Sequence, residues 1–126
     1  MPKTVHHTPH APAAIGPYSQ AVEANGLLFC SGQISLTPSG ERVGAGDVVA
    51  QTRQCMDNLG QVLCAAGLGF QDVVKTTIYL TDLSTFGAVN EVYGSYFGAE
   101  PPARETVEVS GLPKSVDVEI SCIAAR

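Results

Sequence analysis

A chain of 126 residues and 13.1 kDa has the length of one domain, expected over residues 1–126, and can bury about two thirds of its unfolded surface without metal or disulfide staples. Seven Lys and Arg against 12 Asp and Glu give a net charge of −5, and the basic residues never form a run, so no phosphate-neutralising patch for nucleic acid is offered. Charged residues make up only 15% of the chain and apolar residues 44%, a balance that points to surface hidden against further copies of the same chain.

The N-terminal MPKTVHHTPHAPAA lacks an apolar segment of signal-peptide length, and no stretch approaches the roughly 18 apolar residues of a membrane helix. The protein therefore reads as cytoplasmic, with neither membrane nor nucleic acid as a partner. Thr4–His6 allows a short first strand. Ser19–Ala24 and Leu27–Ser31 flank Asn25-Gly26, a strong hairpin signal. After the loop Thr37–Gly46, Asp47 can cap a helix that carries Val48, Thr52, Cys55, Leu59, Val62, Leu63 and Ala66 at helical spacing and stops at Gly67. Val73–Thr81 then alternates, with Val74, Ile78 and Leu80 on one face and Lys75, Thr77 and Tyr79 on the other.

A second helix is predicted over Leu83–Phe97, with Phe86, Val89, Tyr93, Tyr96 and Phe97 as its stripe. Strand Arg104–Val109, a turn over Ser110–Ser115 and a last strand Val116–Ala124 complete the chain. The order ββαβαββ gives an α+β fold: a two-layer sandwich of one mixed sheet with two helices on one face.

Cys30, Cys55, Cys64 and Cys122 form no CxxC pair, and all three histidines lie at positions 6, 7 and 10. The thiols read as small core hydrophobes, and no metal site is expected. A Ser-His-Asp or Cys-His site would need a histidine delivered from the N-terminal segment. No Gly-rich loop opens a helix after a strand, so no phosphate cradle is present.

Taken as a hairpin turning near Leu112-Pro113, the last two strands put Val107 and Val109 on the helix-covered face with Val118, Ile120, Cys122 and Ala124. Arg104, Thr106 and Glu108 then share the uncovered face with Asp117, Glu119 and Ser121. The cross-strand partners become Arg104–Ser121, Thr106–Glu119 and Glu108–Asp117. Arg104 and Glu119 are then diagonal neighbours, roughly 7–8 Å apart at Cα. Such a pair either places a cation and a carboxylate together for chemistry on a face that no intrachain element covers, or is a solvated surface ion pair worth about 0–1 kcal/mol.

Several separated motifs, in order, carry a resemblance. Ala13-Ala14-Ile15-Gly16-Pro17-Tyr18-Ser19-Gln20-Ala21, Ser31-Gly32-Gln33-Ile34, Pro102-Ala103-Arg104 and Val118-Glu119-Ile120 closely resemble the RidA (YjgF-type) family of reactive intermediate deaminases, as do TRQCMDNLGQVLCAAGL and DVVKTTIYLTDL. The resemblance spans nearly the whole chain. It implies a chorismate-mutase-like fold and a homotrimer with a site in each of three clefts between subunits. It also implies hydrolysis of 2-aminoacrylate and 2-aminocrotonate, released by pyridoxal-phosphate dehydratases, through 2-iminopropanoate and 2-iminobutanoate to 2-ketoacids and ammonia.

By the same resemblance, Arg104 binds the substrate carboxylate, Glu119 activates water, and Tyr18, Ser31 and Asn90 line the pocket, with no metal or cofactor. Thr106 stands where several members carry cysteine, still offering a small polar group but no thiol. Two rival classes remain: a regulatory trimer that binds small ligands without turnover, and an RNA-cleaving translation inhibitor. The net charge of −5 and the lack of a histidine pair for acid–base work oppose the second.

Overall fold

Asn25 and Gly26 adopt φ values of 52° and 77°, the paired left-handed residues of a tight hairpin turn, and join β2 (Ala21–Ala24) to β3 (Leu27–Ile34). The structure, a computed structural model, describes residues 2–126, so of the expected 1–126 span only Met1 lies outside the described residues. β1 (Thr4–His6) adds antiparallel to β2. Asp47 caps α1 (Val48–Ala65), its Oδ1 accepting from the backbone N–H groups of Val49 and Ala50 at 3.1 Å each. Gly67, at φ 75°, follows the helix end.

β4 (Val73–Leu80) comes next, and then α2, which is shorter than its apolar stripe suggests. Leu83–Thr85 is a separate 3₁₀ turn, and α2 proper runs over Phe86–Gly94. β5 (Ala103–Glu108) and β6 (Val118–Ala125) end the chain.

The six strands form one mixed sheet in the order β1-β2-β3-β6-β4-β5. The expected terminal hairpin does not form. β5 lies parallel to β4, joined to it through α2, and β6 is inserted antiparallel between β3 and β4. A strand–helix–strand crossover favours exactly such parallel neighbours over a turn-linked pair. Arg104, Thr106 and Glu108 accordingly lie opposite Thr76, Ile78 and Leu80, while Ser121, Glu119 and Val118 lie opposite Thr77, Tyr79 and Leu80. None of the cross-strand pairs drawn between the last two strands exists.

The parity of β5 is also reversed. Thr76, Ile78 and Leu80 are buried under the helices, so their partners Arg104, Thr106 and Glu108 share the helix-side face, and Val107, opposite Tyr79, lies on the uncovered one. Val74, expected on one face with Ile78 and Leu80, sits at a register shift and is exposed; Val73 and Thr76 are buried instead.

Between α1 and the sheet lies the core, with Leu28, Met56, Leu59, Leu63, Ile78 and Ile120 fully buried; each such side chain contributes about 1.5–3 kcal/mol. Cys30, Cys55 and Cys122 are buried among them, and Cys64 is exposed on α1. Buried amides bind the layers together. Asn58 of α1 donates to the carbonyls of Ile34 and Leu36 at 3.2 and 2.9 Å. Gln51 donates to Asp117 Oδ2 at 2.9 Å and accepts from the Asp117 N–H at 2.8 Å.

Among the described residues no helix covers the opposite sheet face, yet it carries Leu27, Phe29 and Val107, which are 37%, 45% and 41% exposed. No helix among the described residues is long and apolar enough to cross a membrane.

Candidate active site

Glu119 sits on the uncovered face of β6, opposite Ile34 of β3 and Tyr79 of β4. The β3–β6 register shifts between Cys30 and Gln33, and this bulge carries Ser31 and Gly32 beside Glu119. A β-carbon on Gly32 would lie 2.9 Å from Glu119 Cδ and closer still to its carboxylate oxygen, so the missing side chain is what makes room for the carboxylate. Glu119 is half-buried, and its burial raises its pKa above the ordinary carboxylate value.

Around it opens a cavity of about 610 Å³, lined also by Tyr18, Ser31, Ile15, Ile34 and Leu36. Ser31 donates its hydroxyl to the Ser19 carbonyl at 2.6 Å. Gln20, which is 3% exposed, fixes the loop that brings Tyr18 and Ile15 to the cavity. Its Oε1 accepts from Thr8 N–H at 2.7 Å, and its Nε2 donates to the carbonyls of Thr8 and Pro12 at 3.2 and 2.8 Å.

Arg104 belongs to a different place. On edge strand β5 it faces α2, where Nη1 donates to Asn90 Oδ1 at 2.5 Å. Its guanidinium lies over the rings of Phe86 and Tyr93. Among the described residues no carboxylate pairs with it. Thr106, two residues along the same face, holds a buried hydroxyl without a hydrogen-bond partner, a group that is costly to leave unsatisfied.

The six residues singled out from sequence thus fall into two sets. Glu119, Tyr18 and Ser31 meet in one cavity; Arg104 and Asn90 meet at the β5–α2 edge, with Thr106 on the same face of β5. Within one chain the cation and the carboxylate stand on opposite faces of the sheet with β4 between their strands. Chemically, one set can move a proton beside an apolar-walled cavity, and the other can bind an anion through an unpaired guanidinium. Gln20, Gly32, Phe86 and Tyr93 were not singled out as site-building residues; only the Gly in Ser31-Gly32-Gln33, an unusual residue inside a strand, signals a bulge or close approach in advance.

Comparison with known proteins extends this geometry. The model of the family described as Endoribonuclease L-PSP matches residues 8–126. The chain is 54% identical over 126 residues to Protein DfrA of Myxococcus xanthus, covering 98% of this chain and 96% of that one. It is 47% identical over 124 residues to 2-iminobutanoate/2-iminopropanoate deaminase of Mus musculus, covering 98% and 92%. The crystal structure of E. coli TdcF with bound serine superposes with a TM-score of 0.92 at 42% identity, covering 98% of each chain. With a match over almost its whole length, the chain belongs to the Endoribonuclease L-PSP family, the YjgF/RidA family that its motifs resemble.

Proposed function

We propose that this protein, as a single family domain over residues 1–126, hydrolyses the imine tautomers of 2-aminoacrylate and 2-aminocrotonate to 2-oxo acids and ammonia. On this reading the sites form between copies of a homotrimer. The observation that carries it is the division of the candidate site into two complementary halves on one chain, a guanidinium without a carboxylate partner among the described residues at the β5–α2 edge and a half-buried carboxylate in a cavity on the far face. A closed cyclic assembly brings such unlike surfaces together once per interface. Relatives named 2-iminobutanoate/2-iminopropanoate deaminase, and a relative crystallised with serine, support a small amino-acid-derived ligand.

In the assembled site Arg104 grips the substrate carboxylate through its planar fork, with Asn90 fixing one N–H. Glu119 takes a proton from a water whose oxygen attacks the carbon of the protonated imine, and the C=N electron pair goes to nitrogen, giving a neutral carbinolamine. Glu119 then gives its proton to that nitrogen, the C–N bond breaks with its electron pair leaving on ammonia, and the hydroxyl oxygen returns its proton to Glu119 as the carbonyl forms. Tyr18, Ser31 and Thr106 line the ligand's surroundings. The reading places the protein in the cytoplasm, beside the pyridoxal-phosphate dehydratases that release such enamines.

Purified protein added to a serine or threonine dehydratase is expected to speed the appearance of 2-oxo acid and ammonia. Arg104→Ala is expected to abolish this, and Arg104→Lys to restore little of it, because a point charge cannot form two parallel bonds to a carboxylate. Ligand binding without ammonia release would instead favour a regulatory trimer.

The family's description as an endoribonuclease supplies a second reading. The net charge of −5 and scattered basic residues oppose it, and labelled RNA incubated with the protein is expected to stay intact.

A further inference from the structure

Phe86, Asn90 and Tyr93 follow one another at four- and three-residue spacing along α2 and so share one face of the helix. Arg104 lies against all three. Its guanidinium carbon is 5.0 Å from the Phe86 ring centroid and 5.2 Å from that of Tyr93, and Nη1 donates to Asn90 Oδ1 at 2.5 Å. The Tyr93 ring is itself anchored: its hydroxyl is 2.6 Å from Thr76 Oγ1, with Tyr93 4% and Thr76 1% exposed. Thr76 is the residue directly opposite Arg104 in the β4–β5 ladder. Strand, helix and ring thus form one closed frame around the base of the guanidinium.

A carboxylate partner would hold an arginine equally well, but it would occupy the fork and cancel the charge. Aromatic faces attract a cation through their quadrupoles while bringing no net charge and accepting no strong hydrogen bond. They can fix the guanidinium and leave it hungry for an anion. The arrangement therefore separates two tasks that a salt bridge would merge: orienting the cation and neutralising it.

We propose that Phe86 and Tyr93 are positioning residues that hold Arg104 in its carboxylate-binding orientation and thereby set the affinity for 2-oxo and 2-imino acids. This rests on the reading of Arg104 as the carboxylate-binding group. Neither ring touches the reacting carbon on this account, so their loss weakens binding more than turnover of bound substrate.

Titration of the intact protein with pyruvate, the product of the three-carbon imine, tests the proposal alongside steady-state kinetics. Phe86→Leu is expected to weaken pyruvate binding roughly 3–30-fold and to raise KM by a similar factor, with kcat changed less than about twofold. Phe86→Tyr keeps a ring face and is expected to recover most of the lost affinity. Phe86→Met, apolar and of similar size but without a ring, gives the same test should the leucine variant fail to melt cooperatively.

A folded Phe86→Leu protein that binds pyruvate like wild type, while Arg104→Ala does not bind it, would overturn the positioning role and leave the carboxylate reading standing. A fall in kcat with pyruvate affinity unchanged would overturn it too, because that is the mark of a structural or chemical role. Wild-type protein that fails to bind pyruvate would remove the carboxylate reading and this inference with it.

Discussion

Glu119 is half-buried in the wall of its cavity, and Gly32 leaves the gap its carboxylate fills. Burial raises its pKa, which brings a carboxyl group nearer to the neutral range where a proton acceptor and donor works in both directions. With substrate occupying the arginine of the site, the acid limb of kcat is expected to titrate above the ordinary carboxylate value of 4.5, activity being lost as pH falls and Glu119 takes up its proton. Glu119→Gln should lower kcat by about 10²–10⁴-fold and erase that limb while still binding pyruvate; activity within a few-fold of wild type would remove Glu119 from the chemistry. Gly32→Ala tests the gap itself. Its new methyl meets the end of a flexible side chain rather than backbone, so the carboxylate swings aside at small cost in stability. A displacement of about 1 Å at a reacting group costs on the order of 10²-fold in rate, so turnover should drop while the melting temperature barely moves. Glu119, Ser31 and Tyr18 were legible in the sequence because their motifs name them. The reason Gly32 sits beside Glu119 was not, because the bulge between Cys30 and Gln33 shifts the inward-outward phase of β3, and which residue of β6 it then meets depends on the strand pairing.

The elements themselves were legible where a local signal decides them: Asn25-Gly26 made its turn, Asp47 its cap, and the apolar spacing of α1 its buried stripe. The strand order was not local. Two strands separated by a turn over Ser110–Ser115 read as a hairpin, but β4, α2 and β5 also satisfy a parallel crossover, and β6 takes the place between β3 and β4. The parity of β5 differs for a related reason: Val107 and Val109 read as core residues when only the helix-covered face is apolar, whereas here the uncovered face carries Leu27, Phe29 and Val107. Long-range ties then lock the order. Arg126, just after β6, donates from Nε and Nη2 to Glu23 of β2 at 2.8 and 3.0 Å, and His6 of β1 adds a third contact to the same carboxylate at 3.0 Å. Chiefly through Arg126, and then His6, the Glu23 pKa falls from 4.5 to about 2. A carboxyl whose folded pKa is depressed stabilises the fold above its unfolded pKa and loses that contribution as pH falls. Wild-type protein should therefore lose melting temperature between about pH 4.5 and 2 more steeply than Glu23→Gln, measured by thermal denaturation across that range. Parallel curves would show that the cluster is too solvated to matter.

At the scale of the whole molecule, Leu27, Phe29 and Val107 on the open face are exposed apolar side chains that no helix among the described residues covers, on a chain with few charges to keep it dispersed. Covering that face with copies in a closed ring is also what would unite the two half-sites, because one face of the sheet carries Glu119 and the other carries Arg104. In such a ring every site takes Arg104 from one subunit and Glu119 from its neighbour. Sedimentation is expected to give three times the 13.1 kDa chain mass; a stable monomer at micromolar concentration would exclude shared sites. A mixing experiment goes further, because it asks which chain supplies which group. Arg104→Ala and Glu119→Gln proteins, each inactive alone, are unfolded together and refolded at equal amounts. A site is intact when its arginine comes from a Glu119→Gln chain and its glutamate from an Arg104→Ala chain, which random assembly provides at about one quarter of the interfaces. Activity should return to about a quarter of the wild-type value per site, and should appear only after co-refolding, not after simple mixing of assembled variants that do not exchange subunits. Were both groups drawn from the same chain, every site in the mixture would carry one defect, and no activity would return at any ratio. Complementation that peaks near equal amounts and falls away on either side therefore distinguishes a site divided between subunits from one that each chain completes alone.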